Sequence, residues 1–252
     1  MPPITNYVIG NLTSTPVTRT DFLNETYTDD VYRFNISETN SINLDLRNIS
    51  AGDDADLYLY LDSNNNGQWD TSDQQLASSL RGSNSDDSIN YVASTGTYFA
   101  RVQRFAPGSN GGLNYTLDLS STQQYPSATT APNLIPNEVD GGVLSRGQTY
   151  TSSGSVGSTD TSDIYRFSLA SASNVNVRLT GLTSDADIRL IRDFNNNRIV
   201  DAGEVSTQFA STRSGTSSEN FSFFHQSGIP FYVQVFQYSG DTNYQLQVNP
   251  TA

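Results

Sequence analysis

Apolar and polar residues alternate along most of this chain with a period of two, which is the spacing of residues on one face of a β-strand. Such segments occur at residues 31–36, 42–46, 57–61, 89–93, 98–105 and 115–119. Clusters of Gly, Asn, Asp and Ser separate them, and no window shows a capped stripe with the 3.6-residue helical period. The pattern predicts an all-β protein whose sheets expose their outer faces to solvent.

The same motifs occur twice, in the same order. Residues 30–36 (DVYRFNI) match 163–169 (DIYRFSL), 54–57 (DADL) match 185–188 (DADI), and 114–119 (NYTLDL) match 243–248 (NYQLQV). The repeat predicts two tandem antiparallel β-sandwich domains, each of about 110 residues, an ordinary size for such a domain. We place them at residues 1–121 and 139–252, with a polar, proline-containing linker at residues 122–138.

A twelve-residue frame of oxygen-bearing side chains follows each DAD motif, at residues 62–73 and 193–204. The loop of an EF-hand binds calcium through positions 1, 3, 5, 9 and 12 and through the backbone carbonyl at position 7. The ligands predicted for the first loop are Asp62, Asn64, Asn66, the Gln68 carbonyl, Asp70 and Asp73. Those predicted for the second loop are Asp193, Asn195, Asn197, the Ile199 carbonyl, Asp201 and Glu204. We expect about two Ca²⁺ ions, one in each domain.

Each loop departs from the ideal frame at one position. Asp73 is one methylene shorter than the usual bidentate Glu, and Arg198 replaces the glycine that Gly67 supplies at position 6. Affinity in the micromolar to millimolar range is therefore expected. Strands rather than helices flank both loops, so the ions should be structural. The alternative interpretation is that these Asn-rich segments are plain hairpin turns.

Trp69 within the first loop and the carboxylates that precede both loops also bear on whether the loops bind calcium. Trp69 lies at loop position 8, where burial is a more natural expectation than stacking on a sugar. The DAD carboxylates, Asp54 and Asp56 with Asp185 and Asp187, are expected to cap loop amides or else to add a ligand or a second ion.

The formal net charge is −13, with 13 arginines and no lysine. Such a surface disfavours nucleic acid and anionic membranes and attracts divalent cations. The chain has no cysteine, which excludes disulfides and thiol chemistry. No signal peptide is visible and no apolar run approaches the length of a membrane helix. We expect a secreted protein, present here as a mature form, a fragment or the product of another export route.

The sequence offers little for catalysis. His225 is the only histidine, and the sequence contains no G-x-S-x-G, H-E-x-x-H or phosphate-binding loop motif. Paired carboxylates of a glycosidase are not identifiable from sequence, because only their separation in the fold defines them. The prediction is that the chain is not an enzyme and has no catalytic residues.

The order of the repeated motifs, from DVYRF through DADL to the terminal NYxL, resembles the bacterial pre-peptidase C-terminal domain. The resemblance covers nearly the whole chain, twice, outside the linker. It implies a jelly-roll-like sandwich with a non-catalytic role in binding, secretion or maturation. We therefore predict a secreted, calcium-binding accessory module whose partner is an extracellular protein, a polysaccharide or a neighbouring domain. The alternatives are a calcium-dependent self-assembling layer, filament or matrix subunit, and a non-catalytic fragment of a larger secreted hydrolase.

Overall fold

The computed structural model describes residues 4–106 and 111–251. The chain divides into two compact units, residues 1–122 and 123–252, which are called the first and second domains below. The predicted outer limits at residues 1 and 252 lie outside the described residues. All the regular structure of the described residues is β-strand, so the predicted all-β fold class of two sandwiches is confirmed.

The first domain contains nine strands in its described residues. They are β1 (Ile4–Asn11), β2 (Val17–Asn24), β3 (Asp29–Ile36), β4 (Asn40–Arg47), β5 (Asp54–Leu61), β6 (Gln74–Ser79), β7 (Asp87–Ala93), β8 (Gly96–Ala106) and β9 (Gly112–Gln123). One sheet has the order β1-β3-β8-β5-β6 and the other has the order β2-β9-β4-β7.

The second domain repeats this arrangement, again with nine strands among the described residues. They are β10 (Val139–Leu144), β11 (Tyr150–Val156), β12 (Ser162–Leu169), β13 (Ser173–Thr180), β14 (Asp185–Ile191), β15 (Val205–Ser211), β16 (Glu219–His225), β17 (Phe231–Ser239) and β18 (Thr242–Thr251). The sheet orders are β10-β12-β17-β14-β15 and β11-β18-β13-β16.

One pairing in each domain differs from the predicted antiparallel arrangement. Strand β1 pairs with β3 in parallel, and β10 pairs with β12 in the same way. The reason is topological: the intervening strand, β2 or β11, belongs to the other sheet, so no hairpin joins the parallel pair. Each edge strand carries a bulge next to a glycine with positive φ, 92° at Gly10 and 76° at Gly142.

The two sheets of each domain enclose a continuous apolar core, which a chain of buried hydroxyl groups crosses. In the first domain the Tyr32 hydroxyl lies 2.6 Å from that of Tyr115, which donates to Asp30 at 2.5 Å. In the second domain Tyr165 and Tyr244 make the same contact at 2.8 Å, and Tyr244 donates to Asp163. These bonds join strands of different sheets, so they fix how the sheets face each other.

Residues 122–138 differ from the polar linker of the sequence analysis. Strand β9 runs to Gln123, and the segment that follows packs within the second domain, where Leu134 is 4% exposed and Ile135 is fully buried. Ile135 contacts Ile164, Ile191 and Tyr232 in a cluster outside the main core. We call residues 124–138 the connector. It is ordered because its few apolar residues cover one face of the sheet.

Candidate metal-binding loops

Both predicted loops connect neighbouring strands of a five-stranded sheet. The first joins β5 to β6 and the second joins β14 to β15. In each case the loop closes an antiparallel pair. The strand pair holds the first and last loop residues close together, which a long hairpin connection would otherwise not ensure.

Two carboxylates organise the backbone of the first loop. Asp62 at position 1 accepts hydrogen bonds from the Asn66 N–H at 3.1 Å and the Gly67 N–H at 2.9 Å. Asp73 at position 12 accepts from the Ser63 N–H at 3.1 Å and the Asp70 N–H at 2.9 Å. The two ends of the frame therefore turn their carboxylates toward the inside of the loop.

The second loop repeats this arrangement position by position. Asp193 accepts from the Asn197 N–H at 3.1 Å and the Arg198 N–H at 3.0 Å. Glu204 accepts from the Phe194 N–H at 2.7 Å and the Asp201 N–H at 2.9 Å. Asp73 thus reaches the same two backbone positions as Glu204 despite its shorter side chain.

The side chains at positions 3, 5 and 9 meet one another. In the first loop the amide nitrogens of Asn64 and Asn66 lie 3.1 and 2.9 Å from one oxygen of Asp70. In the second loop the amide nitrogens of Asn195 and Asn197 both lie 2.8 Å from one oxygen of Asp201. Together with the bonds from positions 1 and 12, these contacts bring all five predicted side-chain positions into one network in each loop.

Position 6 has the backbone conformation that the frame requires. The φ angle is 70° at Gly67 and 66° at Arg198, and position 4 is also left-handed, at 55° for Asn65 and 56° for Asn196. Asn tolerates this region, whereas Arg rarely adopts it. The loop geometry is therefore kept in the second domain at the expense of backbone strain.

The donor chemistry suits a hard cation. Each loop offers three carboxylates, two amide oxygens and one carbonyl, all of them oxygens, which is the ligand type that calcium takes. Hydrogen bonds from the Ser72 hydroxyl and backbone and from Asn66 lower the pKa of Asp70 to about 2, so this group is anionic at neutral pH. No three Asp, Glu or His side chains of the described residues converge as a metal site of charged groups alone. Any ion in these loops must also use amide and carbonyl oxygens.

A tryptophan secures the first loop to the sheet. Trp69 is half-buried and packs against Val31, Tyr60 and Phe99, with its ring centre 5.6 Å from that of Tyr60. The Arg101 guanidinium lies 4.8 Å from the Trp69 ring centre and is held by Asp29 at 2.5–2.7 Å. We call Val31, Tyr60, Trp69 and Phe99 the tryptophan cluster.

The second loop is secured by the connector. Val200, at the position of Trp69, is half-buried and packs in a cluster that contains Ile135. The backbone of the connector pairs with the loop: Ile135 N–H donates to the Arg198 carbonyl at 2.9 Å, and Val200 N–H donates to the Asn133 carbonyl at 2.8 Å. A further bridge joins Leu134 to Ile199. Loop and connector therefore form one unit of structure.

Sequence reasoning missed Arg189, which fixes the connector. Arg189 is 1% exposed, and its guanidinium donates to the carbonyls of Ala128 at 2.9 Å and Pro132 at 2.6 Å and to the side chain of Gln234 at 2.6 Å. Burial lowers its pKa to about 9. The only sequence signal is a lone Arg in a strand whose counterpart in the first repeat is Tyr58.

The DAD carboxylates lie at the start of strands β5 and β14. Asp56 and Asp187 are buried, and so are Asp87 and Glu219 on the adjacent sheet, which sequence reasoning did not single out. Asp185 accepts from the Gly215 N–H at 2.8 Å, outside the predicted loop at residues 193–204. Burial, followed by the charges of Asp185 and Glu219, raises the pKa of Asp187 to about 8.

His225 ends strand β16 and is 7% exposed. Its ring lies 4.9 Å from that of Phe231, and Nε2 is 3.1 Å from the Ile229 carbonyl. Burial lowers its pKa. These contacts are those of a packed side chain on a strand face.

Comparison with protein families matches the bacterial pre-peptidase C-terminal domain twice, at residues 28–104 and 161–249. The two matches span more than half of the chain, and the protein belongs to this family. Domains of this family are non-catalytic and occur in secreted bacterial proteins.

Curated protein sequences give no match to this chain. Among solved structures, the pre-peptidase C-terminal domain of a collagenase from Bacillus anthracis is 23% identical, covers 47% of this chain and 96% of its own, and has a TM-score of 0.35. PliG from Aeromonas hydrophila, a periplasmic inhibitor of g-type lysozyme, is 11% identical with the same coverage and a TM-score of 0.31. In the described residues, no helix has the length and apolar character needed to span a membrane.

Proposed function

We propose that this chain is a non-catalytic, secreted accessory module that binds calcium in both loops and attaches to an extracellular partner through its surface. The observation that carries the proposal is the duplicated network of positions 1, 3, 5, 9 and 12. Two loops of different sequence make the same hydrogen bonds at the same positions. A plain hairpin turn has no requirement for this repetition.

Calcium would act here as a structural ion. Three carboxylates share each loop, and the chain carries a formal charge of −13. A dication bound by these oxygens offsets their mutual repulsion and fixes a long connection between two strands. Millimolar calcium outside the cell is sufficient to occupy sites of moderate affinity, so the ion should be present wherever the protein works.

A comparison of thermal unfolding with and without calcium tests this proposal. An ion at 100 times its dissociation constant stabilises the folded state by about 2.7 kcal/mol per site. We expect the melting temperature to fall after chelation in the wild type and to change little in the double variant Asp62→Ala/Asp193→Ala. Glu25→Ala removes an exposed carboxylate outside the loops and should respond as the wild type does.

A wild-type melting temperature that chelation leaves unchanged contradicts the proposal. The same holds if Glu25→Ala loses the calcium response as completely as the double loop variant. In that case the effect of calcium is one of general charge screening rather than of binding in the loops.

A further inference from the structure

A cleft of about 390 Å³ lies beside the second loop, within the second domain. Its volume is in the range of small-molecule sites. The polar residues that line it come from the connector, β10, β12, the loop and β17: Asn137, Asp140, Arg166, Asn196, Arg198 and Tyr232. The Pro230 ring adds an apolar wall.

The first domain has different residues at the corresponding positions. There Arg33, the counterpart of Arg166, donates to the Gly67 carbonyl at 2.9 Å and so lies against the loop. A Cβ atom on Gly67 would come within 2.7 Å of the Arg33 guanidinium. In the second domain the equivalent acceptor is the Arg198 carbonyl, which takes its hydrogen bond from the Ile135 N–H at 2.9 Å. Arg166 lies instead beside the side chains of Tyr232 and Asp140. The connector backbone thus takes the place that the arginine side chain has in the first domain, and the cleft is lined by two arginines.

The second arginine is held in a defined position. Arg198 Nε donates to the Ile135 carbonyl at 2.9 Å, which ties the side chain to the connector. Burial raises the pKa of Tyr232, as does the charge of Asp193, whereas the charges of Arg166 and Arg198 and a hydrogen bond with Arg166 lower it. Both cations are therefore close to one hydroxyl. The cleft is lined by two arginines and one carboxylate, Asp140, on a chain with a formal charge of −13.

We propose that this cleft binds a uronic acid residue of an acidic polysaccharide, with the sugar carboxylate between Arg166 and Arg198. Guanidinium groups bind carboxylates through paired, charge-assisted hydrogen bonds. The Asn137 and Asn196 side chains offer donors and acceptors for sugar hydroxyls. Tyr232 and Pro230 supply ring surfaces. This inference deepens the surface-binding role proposed above and rests on it.

Asp140 gives the proposal a test by gain of affinity. Its carboxylate is 70% exposed and lies 3.7 Å from Arg166, so the pair is weak and competes with a ligand carboxylate for the same guanidinium. Asp140→Asn should therefore strengthen uronate binding a few-fold, while Arg166→Ala should weaken it about tenfold or more. Arg178→Ala is the matched control, because it removes an exposed arginine from another strand of the same domain.

The experiment is a calorimetric or ligand-observed NMR titration of the full chain with D-galacturonate, with neutral D-galactose as the comparison ligand. We expect the uronate to bind more tightly than galactose, and Arg178→Ala to match the wild type. Equal binding of the two sugars, no binding of the uronate, or an equal loss in Arg178→Ala overturns the proposal. Weaker binding in Asp140→Asn also counts against it.

Calcium titration of the same samples separates this inference from the proposed function. Calcium binding without uronate binding means that the cleft assignment alone is wrong. Uronate binding by a chain that does not bind calcium means that the loop proposal is wrong and the cleft assignment stands.

Discussion

The two domains cover the same face of their five-stranded sheets in different ways. In the first domain the loop at residues 62–73 itself covers the sheet, because Trp69 packs onto Val31, Tyr60 and Phe99. In the second domain Val200 is too small to do so, and Ile135 of the connector takes part in the cover instead. An identical loop frame can therefore be supported either from within or by a neighbouring segment of chain.

The difference extends to the charged residues beneath each cover. Arg101 pairs with Asp29 in the first domain, and the corresponding residues in the second are Gln234 and Ser162, joined at 3.1 Å. The cation of the second domain is Arg189, on the neighbouring strand, and its partners are neutral carbonyls and an amide oxygen. Where the first domain has an ion pair, the second domain has hydrogen bonds from Arg189 that hold the connector.

The largest expected effect is that of Arg189→Ala. The substitution removes the Arg189 donors to the buried Ala128 carbonyl and the Gln234 side-chain oxygen and weakens the attachment of the connector. We therefore expect the second domain to lose about 3 kcal/mol of stability. Hydrogen exchange read by mass spectrometry resolves the two domains and should show the loss in residues 123–252 only. Arg178→Ala, an exposed arginine of the same domain, should change stability by less than about 0.5 kcal/mol. Equal protection in both variants contradicts the role of Arg189.

Trp69→Ala should cause the next largest loss of stability. Removing a half-buried tryptophan and its contact with Arg101 is expected to cost the first domain about 2 kcal/mol. Val200→Ala, at the same loop position, should cost the second domain about 1 kcal/mol, because the connector still covers the sheet. Denaturant unfolding followed by circular dichroism measures both. An equal cost for the two substitutions would show that the two covers do not differ in the way described.

Gly67→Ala tests the backbone of the first loop. The residue has a φ of 70°, and a Cβ atom would meet the Arg33 guanidinium at 2.7 Å, so we expect a loss of about 1–2 kcal/mol. The matched variant is Arg33→Ala/Gly67→Ala, in which the steric contact is absent and part of the loss should be recovered. No difference between the single and the double variant removes the steric argument and leaves only the strain of positive φ.

The smallest expected effect is on the pH dependence of stability. Burial raises the pKa of Asp187 to about 8 and that of Asp87, on strand β7 of the first domain, to about 6. An acid with a raised folded-state pKa binds more protons when folded, so its contribution to stability is lost as pH rises through that pKa. The second domain should therefore continue to lose stability between about pH 7 and about pH 9, after the first domain has stopped.

Asp187→Asn checks this assignment. The variant should flatten the pH dependence of the second domain by on the order of 1 kcal/mol, after allowance for solvent screening. Hydrogen exchange at several pH values is the measurement, and Asp87→Asn should leave the second domain unchanged. A wild-type slope retained in Asp187→Asn assigns the titration to another group.

The features that could be predicted from the sequence are those that depend on the local pattern of residues. The period of two located the strands. The spacing of oxygen-bearing side chains in residues 62–73 and 193–204 located two loops whose side chains the structure brings together. The burial of Arg189 was not predictable, because it depends on carbonyls some 60 residues earlier in the chain. The connector was missed for the same reason: Leu134 and Ile135 are too few to show a period, and their burial depends on a sheet formed elsewhere in the sequence.

Calorimetric titration with calcium tests the central claim most directly. The wild type should bind two ions, and Asp62→Ala and Asp193→Ala should each bind one. Trp69 is the only tryptophan, so its fluorescence should follow the first site and should respond to calcium in Asp193→Ala but not in Asp62→Ala. Absence of calcium binding by the folded wild type, or stoichiometry that neither substitution changes, would contradict the assignment of calcium to these two loops.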